Sequence, residues 1–171
     1  MKGAVHHVFA RGNDRRLIYL DDADRTEYLR LLGRVVRWKR WRCLSFCLMD
    51  NHLHLLIETP EANLASGMQW LHGRFAQQFN ERHDSVGHVF QGRYGSRLIE
   101  SEGHLWTTVG YIVNNPVTAG MCAAPRDWPW SSHRAQIGDD DLAWLDGERL
   151  LEFYDSLGGE PLGRYLEGVG G

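Results

Sequence analysis

Two short stretches carry side chains that could act on one reacting atom. In Leu48-Met49-Asp50-Asn51-His52-Leu53-His54-Leu55-Leu56-Ile57-Glu58, the apolar Leu53, Leu55 and Ile57 alternate with His52 and His54. Period-two alternation marks a strand, so both imidazoles point to one face, roughly 7 Å apart at the Cβ. That spacing suits convergence on one divalent metal ion. A pair of exposed strand histidines is the plain alternative. The apolar flanks weigh against it, because a buried strand rarely keeps two imidazoles without a partner. In the second stretch, Tyr111 and Asn115 are four residues apart, hence on one face of a helix. A phenol hydroxyl and an amide oxygen could complete a metal site with the two histidines. Equally, Tyr111 could pack beside Ile112 and Asn115 could cap the helix; spacing alone leaves both readings open.

The elements that must position these groups follow from the pattern of the chain. Residues 4–10 read as a first strand, ended by the turn Arg11-Gly12-Asn13-Asp14. Asp21-Asp22-Ala23-Asp24 supplies an N-cap and a negative first turn for a helix buried through Tyr28, Leu31, Leu32, Val35 and Val36. Its arginines, Arg25, Arg30, Arg34 and Arg37, form either a solvated face or a phosphate-contacting stripe. Residues 41–49 are a second strand, and Asp50-Asn51 a tight hairpin turn into the histidine strand. A second helix opens at residues 59–63, with Leu64, Met68, Leu71, Phe75 and Phe79 as its buried stripe. A Gly-rich loop over 86–95 leads to a strand over 96–100. A third helix then opens at Ser101 and is expected to stop at Pro116, since the residue before proline is pushed out of the α region. A last short helix over about 147–156 precedes a Gly-rich terminus expected to fray. The order β-α-β-β-α-β-α is that of a ferredoxin-like α+β sandwich, with helices on one face of an antiparallel sheet.

A chain of 171 residues suffices for one good core and is short for two. It contains no apolar run long enough for a membrane span. Its first seven residues lack the apolar region of a signal peptide, so a cytoplasmic protein is expected. Cys43 and Cys47 sit on one predicted strand roughly 13 Å apart, too far to bridge. With Cys122 they read as thiols, although a Cys-His zinc module is a rival. The net charge of −3 hides an asymmetry: residues 137–171 hold 2 basic against 9 acidic groups, leaving residues 1–136 at +4. A basic body with an acidic tail is compatible with nucleic-acid binding, and the tail could keep that body off DNA that is not its target.

Five blocks in order now carry a resemblance. They are Gly3-Ala4-Val5-His6-His7-Val8 with Arg11-Gly12-Asn13; residues 48–56; Phe90-Gln91-Gly92-Arg93-Tyr94; Tyr111 to Gly120; and Trp128-Pro129-Trp130-Ser131-Ser132. Together they resemble the REP-associated tyrosine transposases, single-tyrosine members of the HUH (His-hydrophobe-His) endonucleases, over about residues 3–136. Asp50 departs from the usual proline before Asn-His, and Phe9-Ala10 from a Thr-Ser-like pair. The resemblance implies a ferredoxin-like domain over 1–136, with 137–171 as an acidic extension. It implies cleavage and joining of single-stranded DNA at palindromic hairpins through a 5′-phosphotyrosine. Carried over by position, Tyr111 is the nucleophile and His52 and His54 are metal ligands. Asn115 is a third ligand, placed mostly by its relation to Tyr111. Mg²⁺ or Mn²⁺ suits such ligands. Single strands need basic groups for phosphates and flat groups for bases, so Arg11, Arg15, Arg16, Arg93, Tyr94 and Arg97 are the DNA-binding candidates. The protein is expected to be a monomer or homodimer.

One rival is a non-catalytic DNA-binding relative of the same fold. Other His-x-His enzymes fit less well. An amidohydrolase-type barrel needs roughly 250 residues, and a His-x-His-x-His nucleotide hydrolase needs histidine where Leu56 stands.

Overall fold

Four strands make one antiparallel sheet: β1 (Ala4–Arg11), β2 (Arg42–Leu48), β3 (His52–Thr59) and β4 (Gly95–Leu98). A computed structural model describes residues 3–170. Met1 and Lys2, part of the opening stretch read for a leader, lie outside the described residues, as does Gly171. The strand order is β2-β3-β1-β4, which leaves the histidine strand β3 in the interior. Arg11 lies opposite His52, Phe9 opposite His54 and His7 opposite Leu56. Odd residues of β1 therefore share a face with the even residues of β3.

The other face carries Val8, Ala10, Leu53, Leu55 and Ile57 and is covered by α1 (Asp22–Lys39) and α2 (Leu64–Arg82). Asp21 caps α1, accepting from the Asp24 amide at 3.0 Å. Tyr28, Leu31, Leu32 and Val35 then bury a stripe at helical spacing. Leu64, Met68, Leu71 and Phe75 do the same for α2.

Helices were expected on one face only, and that is corrected here: α3 (Glu102–Thr118) packs on the histidine face. The reason lies in the strands. Val5, Leu44, Cys47, Met49 and Leu56 form a second apolar patch, which must be covered too. Leu105, Val109, Ile112 and Val113 of α3 cover it. Nor does Pro116 stop α3, which runs on to Thr118. Within the last turn a proline forfeits one backbone hydrogen bond, and burial of its ring offsets the loss. Beyond the short α4 (His133–Gln136) and α5 (Gly147–Glu152), the terminus expected to fray forms α6 (Pro161–Val169). Glu160 caps α6, Pro161 opens it, and Tyr165 and Val169 are buried. Asn114 on α3 donates to the Val169 carbonyl at 2.9 Å, and His133 pairs with the Tyr165 hydroxyl at 2.7 Å.

Candidate active site

The β2–β3 turn is held from three sides. The buried Arg25 guanidinium forms an ion pair with Asp50. It lies 5.3 Å from the Tyr19 ring, 5.5 Å from that of Trp128 and 5.8 Å from that of Trp130. The departure from proline at position 50 thus has a local reason. The backbone of the preceding loop joins it, Gly12 N donating to Asn51 O at 2.8 Å and Ile18 N to Asp50 O at 3.0 Å. Gly12 is required there, because a Cβ would lie 2.0 Å from the Arg16 carbonyl oxygen.

This turn sets the state of His52. Asn51 Nδ2 donates to the Arg15 carbonyl at 3.3 Å, which orients the amide and turns its Oδ1 to His52 Nδ1 at 2.8 Å. A neutral ring that donates its Nδ1 proton to Asn51 leaves Nε2 as a lone pair. Asn115 Oδ1 lies 3.0 Å from that Nε2. In that tautomer two acceptors face each other, an arrangement that a cation between them would satisfy.

His54 is buried, its Nδ1 3.1 Å from His7 Nε2, and its own Nε2 has no hydrogen-bond partner among the described residues. Burial, then the neighbouring His7 and His52, push its pKa down to about 3. Burial, then Arg97 and His104, push His7 down to about 4. Both rings are neutral near pH 7, the state in which imidazole binds metal. The Tyr111 ring stands edge-on to His54 at 5.2 Å and to His7 at 6.1 Å. Two imidazole nitrogens, one orphaned and buried, and an opposed amide oxygen fit a small divalent cation. Among the described residues no group of three His, Cys, Asp or Glu side chains could hold a metal. Cys43 and Cys47 are buried free thiols; burial pushes Cys47 up to about 12 and Cys43 higher still.

Burial separates the tyrosines. Tyr19, Tyr28, Tyr154 and Tyr165 are buried, whereas Tyr111 is 54% exposed. Tyr111 stands between two clefts. One, of about 630 Å³, is lined by Arg11, His52, His54, Gln91 and Arg93. The other, of about 360 Å³, is lined by His7, Arg97, His104 and Thr107. Among the described residues, no carboxylate lines either cleft. The fold thus brings Arg11, Arg93 and Arg97 to Tyr111. Tyr94 opens instead on a cleft of about 660 Å³ against α2, beside His72 and Phe90. Arg15 and Arg16 line a further one, of about 520 Å³, with Phe79 and Val86. Three contributors were not singled out from sequence: His7, Asn51 and His104. His7 was visible as a strand histidine, but only the register with β3 says which ring it meets.

The family described as Transposase IS200 like matches residues 2–115. A Haemophilus influenzae protein with the provisional name REP-associated tyrosine transposase is 28% identical over 147 residues, covering 80% of this chain and 83% of that protein. The structure of a REP-associated tyrosine transposase bound to a REP hairpin superposes with a TM-score of 0.68 at 19% identity, covering 85% of this chain and 93% of that one. The second likeness shows the fold: a four-stranded antiparallel sheet with helices packed on it. With two thirds of its length matched, the chain belongs to the IS200-like transposase family, enzymes that nick and join DNA.

Proposed function

We propose that the chain nicks and rejoins single-stranded DNA beside a palindromic hairpin, with Tyr111 as the nucleophile. One observation carries this: a half-exposed tyrosine stands edge-on to a neutral, buried histidine, between two clefts that arginines line and that, among the described residues, no carboxylate lines. The hairpin comes from the REP-hairpin-bound structure to which this chain is similar.

The Tyr111 phenol oxygen attacks phosphorus and gives up its proton to water. The bond from phosphorus to the 3′ oxygen breaks, and that oxygen leaves as a hydroxyl after taking a proton from water. The 5′ phosphate stays on Tyr111 as a diester. The ester energy is kept, so a second 3′-hydroxyl can attack and join strands without ATP. Arg11 and Arg93 in one cleft and Arg97 in the other hold the flanking phosphates. Arg15, Arg16 and Tyr94, farther out, meet the strand away from the cut. His52 Nε2, His54 Nε2 and Asn115 Oδ1 would hold a divalent ion, Mg²⁺ or Mn²⁺. When bound, it supplies positive charge at a non-bridging phosphate oxygen, offsetting the charge that builds at phosphorus. Residues 1–136 carry this chemistry, and 137–171 are its extension.

The test is nicking of single-stranded hairpin DNA with Mg²⁺ or Mn²⁺ by His52→Ala and His54→Ala. Each is expected to lose cleavage by about 10²-fold or more, while DNA affinity changes little because phosphate contacts dominate binding. Cleavage at the wild-type rate by either variant would end the metal assignment. Wild-type protein that binds hairpins and never cuts them would be the non-catalytic relative.

A further inference from the structure

The imidazole of His54 is paired with another imidazole, its Nδ1 3.1 Å from Nε2 of His7. Both residues are buried. Phe9 lies opposite His54, so His7, two residues along β1 on the same face, meets it on the diagonal. One proton bridges two neutral imidazoles, and it has two possible owners. If His7 donates, His54 carries its own proton on Nε2, which is buried and, among the described residues, without a hydrogen-bond partner. A donor is then stranded, and the ring cannot act as a ligand through that atom. If His54 donates from Nδ1, its Nε2 becomes a bare lone pair. His7 then carries its proton on Nδ1, on a ring that lines the 360 Å³ cleft, where water can accept it.

The same logic already operates next door. His52 has its Nδ1 engaged by Asn51 Oδ1 at 2.8 Å, which leaves Nε2 for the site. We propose that His7 is the corresponding positioning residue for His54: it accepts the Nδ1 proton and holds the ring in the tautomer whose Nε2 can bind a divalent cation. The proposal rests on the reading of His52, His54 and Asn115 as ligands. A ring partner on a neighbouring strand is a rigid outer support, because both backbones are fixed by the sheet.

A packing role for His7 is distinguishable, since its ring also sits 5.4 Å from that of Phe9 and 6.1 Å from that of Tyr111. His7→Phe keeps a ring and removes the acceptor. His7→Gln sacrifices the ring and puts an amide oxygen near the place of Nε2. The readout is Mn²⁺ affinity of the intact protein without DNA, from the electron-spin signal of free Mn²⁺, with His52→Ala as background. His7→Phe is expected to bind about 10- to 100-fold more weakly than wild type and His7→Gln to retain most of the affinity. Unchanged affinity in His7→Phe, or equal losses in both variants, overturns the role. Wild-type affinity no better than that of His52→Ala overturns the metal reading itself, and this inference with it. A measurement free of variants accompanies these. Long-range ¹H–¹⁵N spectra of the metal-free wild type should put the His54 proton on Nδ1, and a proton on Nε2 overturns the proposal.

Discussion

His52 Nε2 and Asn115 Oδ1 stand 3.0 Å apart, and in the tautomer that donates Nδ1 to Asn51 no proton lies between them. A contact of this kind stabilises nothing in the metal-free protein, which gives Asn115→Ala an unusual signature. Cation affinity and nicking should fall by about 10-fold or more, while the unfolding free energy changes by less than about 0.5 kcal/mol. A stability loss typical of a broken hydrogen bond, about 1 kcal/mol, would show that the amide instead donates to the ring. The buried imidazoles add a pH dependence. His7 and His54 have folded pKa values of about 4 and about 3, below the ordinary 6.5. The unfolded chain therefore binds more protons below pH 6.5. The stability these rings contribute is present above that pH and is lost as pH falls toward 4 and 3. Melting temperature should decline from pH 6.5 to 4, and the decline should be shallower in the double variant His7→Phe with His54→Phe. At this scale the sequence was informative: alternation found the face shared by His52 and His54, and i,i+4 spacing joined Tyr111 to Asn115. His7 and Asn51 were not legible, because a partner on another strand or in a turn depends on register and amide orientation, neither of which is a local property.

Among the elements, β4 is the short edge strand, and Gly95 begins it. A Cβ there would lie 2.3 Å from the Phe9 ring, so the glycine lets that ring lie across the strand. Phe9 lines both clefts beside Tyr111. In Gly95→Ala the Phe9 ring must shift from its place in the clefts. The substitution should destabilise the fold by about 1–3 kcal/mol, as overpacking does, and reduce turnover more than DNA affinity. Intact turnover would mean that Phe9 takes no part in shaping the clefts. Caps and apolar stripes made α1, α2 and the start of α3 readable in advance. The far end of α3 was not, because a rule about the residue before proline is local, while burial of Pro116 is tertiary. The placement of α3 on the second face was hidden for the same reason. Both sides of a strand can be apolar without saying which helix covers which.

At the scale of the molecule, the acidic C-terminal segment is part of the packing. Trp144 lies over Gly33 of α1 and 5.5 Å from the Phe46 ring. Arg149 pairs with Glu58 at the end of β3 at 2.9 Å, and Leu150, Tyr154, Tyr165 and Val169 are buried with α3. Charge composition suggested a segment that screens the basic body, but its buried tyrosines make a second consequence the larger one. Truncation after residue 136 should lower the melting temperature by at least 10 °C, or yield aggregated protein, because an apolar face of α3 is uncovered. A truncated chain that melts like the full one would refute this. Tighter low-salt DNA binding by a folded truncation would then support screening.

In the proposed reaction Tyr111 forms the bond to DNA. The direct measurement is peptide mapping of the covalent adduct formed with a single-stranded hairpin and Mg²⁺ or Mn²⁺, in wild type and in Tyr111→Phe. Removing one hydroxyl should leave folding and DNA binding intact and abolish cleavage by about 10³-fold or more. The wild-type adduct is expected on the peptide containing Tyr111 and absent from the variant. An adduct on Tyr94, or continued cleavage by Tyr111→Phe, would contradict the account.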